Sequence, residues 1–178
     1  MISFRPLALR DLPAVHRWMN APHAERWWGR RGMTLEAVVE EYSSYIDGRV
    51  PIHAYVVRSA DRDIGLMEWV RFGDFPELME VYGVEDPEAV NCDALIGEPS
   101  FAHRGLGPPM ITLFLREIAF ADARRTACFI DPEAENAIAI RAYAKAGFHF
   151  VRDTHDEDGA AIHLMGLTRA QLFKGQNR

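Results

Sequence analysis

A glycine turn between residues 97 and 109 is the first place where residue type and spacing indicate chemistry. Ile96-Gly97 ends an apolar run, and His103-Arg104-Gly105-Leu106-Gly107 leads into Pro108-Pro109 and a helical pattern. Such a turn exposes backbone N–H groups and the positive end of a helix dipole, so it can hold a phosphate group. Many strand–turn–helix junctions use two glycines without any ligand, so the turn alone leaves both interpretations open.

The segment DPEAENAIAIRAYAKAGF, residues 131 to 148, contains one side chain suited to donating a proton. A strand ends at Asp131, a helix begins near Asn136, and Tyr143 lies two turns into that helix. A phenol has a pKa of about 10, so Tyr143 is protonated at neutral pH and can act as a general acid. The alternative is a core tyrosine packed beside Ile140, which is the commoner fate of a helical tyrosine.

The stretch between Arg71 and Arg104 contains no lysine or arginine. It holds eight acidic residues, which are Asp74, Glu77, Glu80, Glu85, Asp86, Glu88, Asp93 and Glu98. A surface of one sign concentrates ligands of the opposite sign, so one hypothesis is a cationic substrate. The other is a solvated acidic loop without a binding role.

Hydrophobic periodicity predicts the elements that position these residues. Strands are predicted at 2–7, 52–57, 64–70, 91–97, 127–130, 148–152 and 161–167, the last two around an acidic turn containing Asp158-Gly159. Helices are predicted to begin at the N-caps Asp11 and Thr34, after the glycine turn, and at Asn136, the last ending at Gly147. The stretch 74–90 is predicted to be a loop with one helical turn. This order predicts a mixed α/β domain, with helices packed on a largely antiparallel sheet.

Length and composition predict one globular domain over residues 1–178. The chain has 178 residues and a net charge of −6, which argues against nucleic acid as the main partner. No apolar run is long enough to span a membrane, and a charged N-terminus favours a cytoplasmic location. The seven histidines do not cluster, so no metal site is predicted. Cys92 is predicted to be a small buried residue rather than a nucleophile, because no histidine base accompanies it.

Taken together, the two motifs resemble the GNAT superfamily of acetyl-CoA-dependent N-acetyltransferases over nearly the full chain. The glycine turn of that superfamily matches Ala102 to Gly107, and its asparagine–tyrosine–Gly-Phe helix matches Asn136, Tyr143 and Gly147-Phe148. Three further segments look like the aminoglycoside 6′-N-acetyltransferases: ERWWG at 25–29, the DP at 86–87 that lies seven residues before Asp93, and residues 131–148. One departure is Ala102, where the superfamily usually has arginine or glutamine. Pro108 and Pro109 also remove two N–H donors from the turn.

The resemblance implies a GNAT-like fold with a splayed pair of central parallel strands that admits the pantetheine arm of acetyl-CoA, the co-substrate. The backbone of Leu95, Ile96 and Gly97 would pair with that arm. The pyrophosphate would bind to backbone groups of His103, Arg104, Gly105, Leu106 and Gly107, with Arg104 adding positive charge. Asn136 would bond the pantetheine or the loop beside it, and Tyr143 would protonate the departing thiolate.

The resemblance also implies an amine substrate, acetylated by direct transfer in a ternary complex. Asp93 would attract the ammonium group and receive its proton, directly or through water, because a protonated nitrogen has no lone pair for attack. Trp27 and Trp28 could stack on a sugar or a cation, although an adjacent pair predicts that only one ring faces the site. The remaining candidate substrate residues are Glu80, Asp86 and Asp131. For Asp131, an Asx turn is an equal alternative.

Three functions remain open at the level of sequence. The first is acetylation of a primary amine of an aminoglycoside or a similar polyamine sugar, a small cationic partner. The second is a siderophore-pathway acetyltransferase acting on a hydroxylated lysine or ornithine, which predicts a histidine where Asp93 stands. The third is a degenerate GNAT domain used for binding. The sequence does not predict the oligomeric state.

Overall fold

A computed structural model describes residues 1–28, 32–156 and 159–174. Gly29 of the ERWWG segment and Asp158 of the acidic turn therefore lie outside the described residues. The chain forms two compact units, one of Met1–Trp69 with Asp93–Leu106 and one of Val70–Cys92 with Gly107–Arg178. The single domain over 1–178 stays a prediction. No helix in the described ranges is long and apolar enough to cross a membrane.

The elements follow the predicted order, with two additional helices. The strands are β1 (Ile2–Pro6), β2 (Ile52–Ser59), β3 (Arg62–Arg71), β4 (Val90–Ile96), β5 (Ala127–Ile130), β6 (His149–His155) and β7 (Ala161–Thr168). The helices are α1 (Leu12–Met19), α2 (Leu35–Ile46), α3 (Pro76–Tyr82), α4 (Gly107–Phe114), α5 (Ala137–Lys145) and α6 (Arg169–Phe173). The loop predicted at 74–90 contains the full helix α3, which ends at Gly83 in the left-handed conformation.

In the first unit the strand order is β1-β2-β3-β4, and α1 and α2 bury their apolar residues against this part of the sheet. Thr34 caps α2 as predicted, because its side chain accepts a hydrogen bond from Ala37 N. Asp11 instead accepts bonds from Arg5 and from Ala8 N and does not cap α1 with its side chain. The Arg5 guanidinium thus ties β1 to the start of α1.

In the second unit the strand order is β4-β5-β7-β6. Strands β4 and β5 are parallel, and their register has only two pairs, Val90 with Cys128 and Asn91 with Phe129. Strand β4 itself continues to Ile96. The parallel strand pair expected at the centre of the sheet is therefore present. The predicted mixed, mostly antiparallel sheet with flanking helices is confirmed.

Arginines of the second unit pair with two acids of the acidic stretch, Asp74 and Glu88. Arg71 Nε lies 3.1 Å from Asp74 Oδ2, and Arg71 Nη1 lies 2.9 Å from Glu88 Oε1. Arg125 binds the other oxygen of Glu88. Arg125 is distant from these acids in sequence, so the run free of basic residues is not a uniformly negative surface. The positive charge is supplied by β3 and by the segment before β5.

Candidate functional site

A pocket of about 300 Å³ lies in the first unit and contains the catalytic candidate Asp93. Its lining residues are Met19, Trp27, Trp28, Met33, Glu41, Tyr42, Glu68 and Asp93. They come from the end of α1, the segment after it, α2, β3 and β4. The volume is at the lower end of the range typical of small-molecule sites. Three of the sequence candidates, Trp27, Trp28 and Asp93, are therefore brought together.

Antiparallel pairing sets two of the pocket carboxylates on neighbouring strands. The Gly97 N–H donates to Ile64 O at 2.9 Å, which defines the start of the pairing between β4 and β3. Just beyond the other end of this strand pair, the Phe72 N–H donates to Ala89 O at 2.9 Å. Both bonds fit one register, which places Glu68 opposite Asp93. Cβ atoms of residues directly opposite each other in such a pair are about 4.5–5.5 Å apart.

The core residues beside the pocket agree with that register. Leu66 and Leu95 belong to the same buried cluster under α1 and α2. Glu68 and Asp93 are each two residues away from these leucines, and side chains two apart on a strand share a face. The strand face that packs the core next to α1 and α2 therefore continues directly into the pocket as a pair of carboxylates.

Glu68 is the site residue that the sequence interpretation missed. Burial raises its pKa from 4.5 to about 7, and a hydrogen bond from Tyr42 opposes part of that rise. Burial also raises the pKa of the Tyr42 hydroxyl well above 10, and the neighbouring Glu68 carboxylate adds to this. The sequence pattern that could have predicted Glu68 is a single acid in the apolar strand IGLMEWV. Asp93 has the same pattern.

Both tryptophans line the pocket, whereas the sequence predicted only one. They lie in a turn segment in which the N–H groups of Trp27 and Trp28 both donate to Ala24 O, at 2.8 and 2.9 Å. A turn does not force adjacent side chains onto opposite faces as a strand does. The Arg26 guanidinium lies 4.3 Å from the centroid of the Trp27 ring, so this indole already stacks with a cation.

The candidates for pantetheine pairing at the end of β4 have partners in the first unit. The N–H of Gly97 is bonded to Ile64 O, as described above. The carbonyl of Ile96 lies 2.8 Å from the ring atom Nε2 of His23. The Leu95 side chain is buried in the core, so only its backbone is available for such pairing. These contacts reduce the backbone groups that remain for an extended ligand arm along this edge.

The residues of the glycine turn are arranged as an exposed loop that leads into α4. His103 and Gly105 both adopt left-handed φ angles, 59° and 74°, and His103, Arg104 and Gly105 are exposed. A Cβ at Gly105 would meet no described atom within 4 Å. The exposed backbone of this loop and the open space around Gly105 leave room for a pyrophosphate. Pro108 lies in the first turn of α4, where a missing N–H does not interrupt the helix.

On α5, Asn136 and Tyr143 have structural contacts of their own. The Asn136 side chain caps the helix by accepting a bond from Ala139 N at 3.1 Å, which occupies its carbonyl oxygen and leaves its amide group as the donor. Tyr143 is 9% exposed, and its ring packs edge-on against Phe148 at 5.9 Å between centroids. Tyr143 is therefore held by the packing of its ring.

The other acidic candidates belong to the second unit. Asp131 accepts hydrogen bonds from Tyr82 Oη at 2.6 Å and from Asn91 Nδ2 at 2.9 Å. Asp86 accepts bonds from Glu88 N and from Thr126, which ties the loop after α3 to the start of β5. These contacts give both carboxylates a structural role. Glu80 is exposed on α3.

Comparison with known proteins identifies the family. Residues 8–155 match the family described as the acetyltransferase (GNAT) domain, and this match covers well over half of the chain. The chain therefore belongs to the GNAT acetyltransferase family. The resemblance inferred from the glycine turn and the Asn136–Tyr143 helix is confirmed.

The relatives are more specific in their descriptions. The chain is 27% identical over 172 residues to aminoglycoside N(6′)-acetyltransferase type 1 of Klebsiella pneumoniae, covering 95% of this chain and 84% of that protein. It is similar in structure to aminoglycoside acetyltransferase AAC(6′)-Ib in complex with coenzyme A and kanamycin, with a TM-score of 0.85, 27% identity and full coverage of both chains. Spermidine N-acetyltransferase from Vibrio cholerae, at 18% identity and a TM-score of 0.75 over 96% of this chain and 97% of that one, shares the fold.

Proposed function

We propose that this protein transfers the acetyl group of acetyl-CoA to a primary amine of an aminoglycoside, at the 6′ position, by direct transfer in a ternary complex. The observation that carries the proposal is the pocket in which Asp93 lies with two tryptophans and two further carboxylates. Carboxylates attract ammonium groups, and indole faces bind both sugars and cations. The similarity to aminoglycoside 6′-N-acetyltransferases supports the same substrate class.

Asp93 acts on the substrate amine. It attracts the ammonium group and accepts one of its protons, which gives the nitrogen the lone pair it needs to form the new C–N bond. When bound, acetyl-CoA supplies an acetyl group activated as a thioester. Tyr143 provides a proton to the thiolate as the C–S bond breaks. The nitrogen loses two protons on its way to the amide. Asp93 accepts the first and passes it to solvent, and the second leaves the nitrogen after the C–N bond has formed and reprotonates Tyr143 through solvent, so each turnover releases one proton.

Backbone groups of His103 to Gly107 hold the pyrophosphate, and Arg104 adds one positive charge there. The Asn136 amide remains free to donate to the pantetheine arm while its oxygen caps α5. The Leu95 and Ile96 backbone pairs with that arm, for which the Ile96 carbonyl exchanges its contact with His23. The paired N–H of Gly97 makes no such bond.

The test measures release of free CoA thiol with three amines: kanamycin, a hydroxylated diamino acid such as N6-hydroxylysine, and spermidine. We expect turnover with kanamycin, and NMR of the product should place the amide at the 6′ nitrogen. Preference for the hydroxylated amino acid would indicate a siderophore-pathway acetyltransferase instead. Absence of turnover, together with no rise in melting temperature at millimolar acetyl-CoA, would identify a degenerate binding domain, because a bound ligand stabilises the folded state.

A further inference from the structure

We propose that Glu68 binds a second ammonium group of the substrate, beside the amine that reacts at Asp93. The pocket would then select substrates with two cationic nitrogens close together. The proposal rests on the function proposed above and specifies which amines that site accepts. Glu68 determines substrate specificity, whereas Asp93 accepts the proton.

The hydrogen-bond set of the Glu68 carboxylate, deep in the pocket, is incomplete. The Tyr42 hydroxyl donates to the Glu68 carboxylate, yet Glu68 Oε1 is fully buried and has no hydrogen-bond partner within the part of the chain that the structure describes. A buried carboxylate oxygen without a donor is costly, so such groups are usually paired. The same carboxylate lines a cavity with room for a small molecule. A substrate N–H donor entering that cavity would complete the set.

The charged side chains that line the pocket are negative. Three carboxylates line it, Glu41, Glu68 and Asp93, and no lysine, arginine or histidine of the described residues does. One oxygen of Glu41 accepts a bond from Tyr45 Oη at 2.8 Å. No group of three or more histidine, cysteine, aspartate or glutamate side chains in the described segments is arranged to hold a metal ion. An organic cation fits these carboxylates and the two indole rings beside them.

The spacing of Glu68 and Asp93 suits two nitrogen atoms of one substrate. Glu68 and Asp93 occupy opposed positions on β3 and β4, in the register that starts at Ile64 and Gly97. Residues directly opposite each other on neighbouring strands lie close together, so two ammonium groups of one substrate can reach both carboxylates. A monoamine that binds at Asp93 leaves Glu68 without a substrate donor. Discrimination between diamines and monoamines therefore follows from the strand pairing.

The protonation state of Glu68 should make diamine binding depend on pH. With a pKa of about 7, the carboxyl is partly neutral at physiological pH. The titratable groups that face it are Tyr42 and Glu41 on α2 and Asp93 on β4. An ammonium group binds the ionised form better, so binding of a diamine should release protons from Glu68 and tighten as the pH rises through 7.

The experiment compares wild type with Glu68→Gln, which keeps the shape and removes the charge, and with Glu40→Gln, an exposed acid on α2, as a control for net charge. Kanamycin affinity is measured by calorimetry from pH 5.5 to 8.5 in buffers of different ionisation enthalpy, which counts the protons released. At pH 8 we expect Glu68→Gln to weaken binding about 10- to 100-fold, the range of a charge-assisted hydrogen bond. At pH 5.5 the two proteins should bind nearly equally. Ionisation of the substrate's own amines cancels in the ratio.

A second arm compares kanamycin with 6-amino-6-deoxyglucose, which has one amine. Glu68→Gln should raise KM for kanamycin and leave kcat/KM for the monoamine unchanged. Equal loss of kcat with both substrates would overturn the proposal, because Glu68 would then serve the reacting amine itself. An affinity ratio that stays flat with pH and matches the Glu40→Gln control would also overturn it. In either case acetylation of kanamycin by wild type would leave the proposed function intact, whereas no acetylation would contradict that function first.

Discussion

At the scale of single residues, two carboxylates on facing strands differ in their surroundings. Asp93 is exposed at the pocket, whereas the Oε1 atom of Glu68 is buried. Burial penalises the charged form of a carboxyl group, which is why the pKa of Glu68 rises to about 7. An exposed carboxylate is suited to meeting an incoming ammonium group, and a buried one to selecting among amines. The division of roles between Asp93 and Glu68 follows from this difference in solvation.

Asp93→Asn tests the proton acceptor. The exchange preserves the shape of the side chain and removes both its charge and its basicity. We expect turnover to fall roughly 100- to 10,000-fold, the usual contribution of a general base, and KM for kanamycin to rise. Steady-state kinetics measures both, and unchanged acetyl-CoA affinity serves as the control. Turnover close to that of wild type would show that Asp93 is only structural.

Tyr143→Phe tests the proton donor. The ring packs against Phe148, so phenylalanine preserves that contact and only the hydroxyl is lost. We expect kcat to fall by about 100-fold or more, while the Kd for acetyl-CoA stays the same, because the hydroxyl matters when negative charge develops on sulfur. Pre-steady-state kinetics separates the chemical step from product release. If the chemical step proceeds at the wild-type rate, Tyr143 has no part in it.

At the scale of elements, the end of β4 depends on a glycine for a packing reason. A Cβ at Gly97 would lie 2.1 Å from Cγ of Trp18, a fully buried residue of α1. The indole N–H of Trp18 also donates to Glu98 Oε1 at 2.9 Å. This bond lowers the pKa of the Glu98 carboxyl, and burial opposes part of that lowering. The close approach of β4 to α1 therefore requires glycine at this position.

We expect Gly97→Ala to destabilise the protein by about 1–3 kcal/mol or more, because the added methyl group displaces Trp18 from a packed core. Gly105→Ala is the matched comparison. Gly105 has a φ of +74° but open space around it. Its substitution should cost only about 1–2 kcal/mol of backbone strain and leave the core intact. Urea denaturation measures both, and Trp fluorescence of the native state should change only for Gly97→Ala.

At the scale of the whole molecule, Glu68 links stability to pH. Its pKa is about 7 in the folded protein against an ordinary value of 4.5. The folded state therefore binds more protons than the unfolded state between these values. The contribution of Glu68 to the free energy of unfolding is therefore complete below pH 4.5. It is lost as the pH rises through 7, by up to about 3 kcal/mol.

Glu68→Gln should remove that component, since an amide does not ionise. We expect the free energy of unfolding of the variant to exceed that of wild type by an amount that grows from pH 4.5 to 7 and is constant above it. Urea denaturation at four pH values between 4.5 and 8 measures the difference, and the other titrating groups cancel. Glu40→Gln should show no such growth. A difference independent of pH would mean that Glu68 titrates near its ordinary value in the folded protein.

Local sequence signals determined the order of most elements and the family. The glycine turn, the Thr34 and Asn136 caps and the Gly147 stop depend on residues a few positions apart, so they can be read without a tertiary structure. The same holds for Asp93, because a single acid in an apolar strand can be recognised from the seven residues of that strand alone. Helix α3 was predicted only as one helical turn, since its seven residues include a proline and show no clear hydrophobic period.

Which residues share a pocket, and which acids are already paired, depends on how distant segments of the chain pack together. Glu68 and Asp93 are twenty-five positions apart, and the antiparallel register of β3 and β4 brings them to one face. Arg125, which lies just before β5, binds Glu88. The acidic stretch is therefore not uniformly negative, although its sequence suggested that it would be. The pKa of Glu68 likewise depends on burial under α2. Contacts between residues distant in sequence set these properties, because solvation and Coulomb energies depend on distances in space.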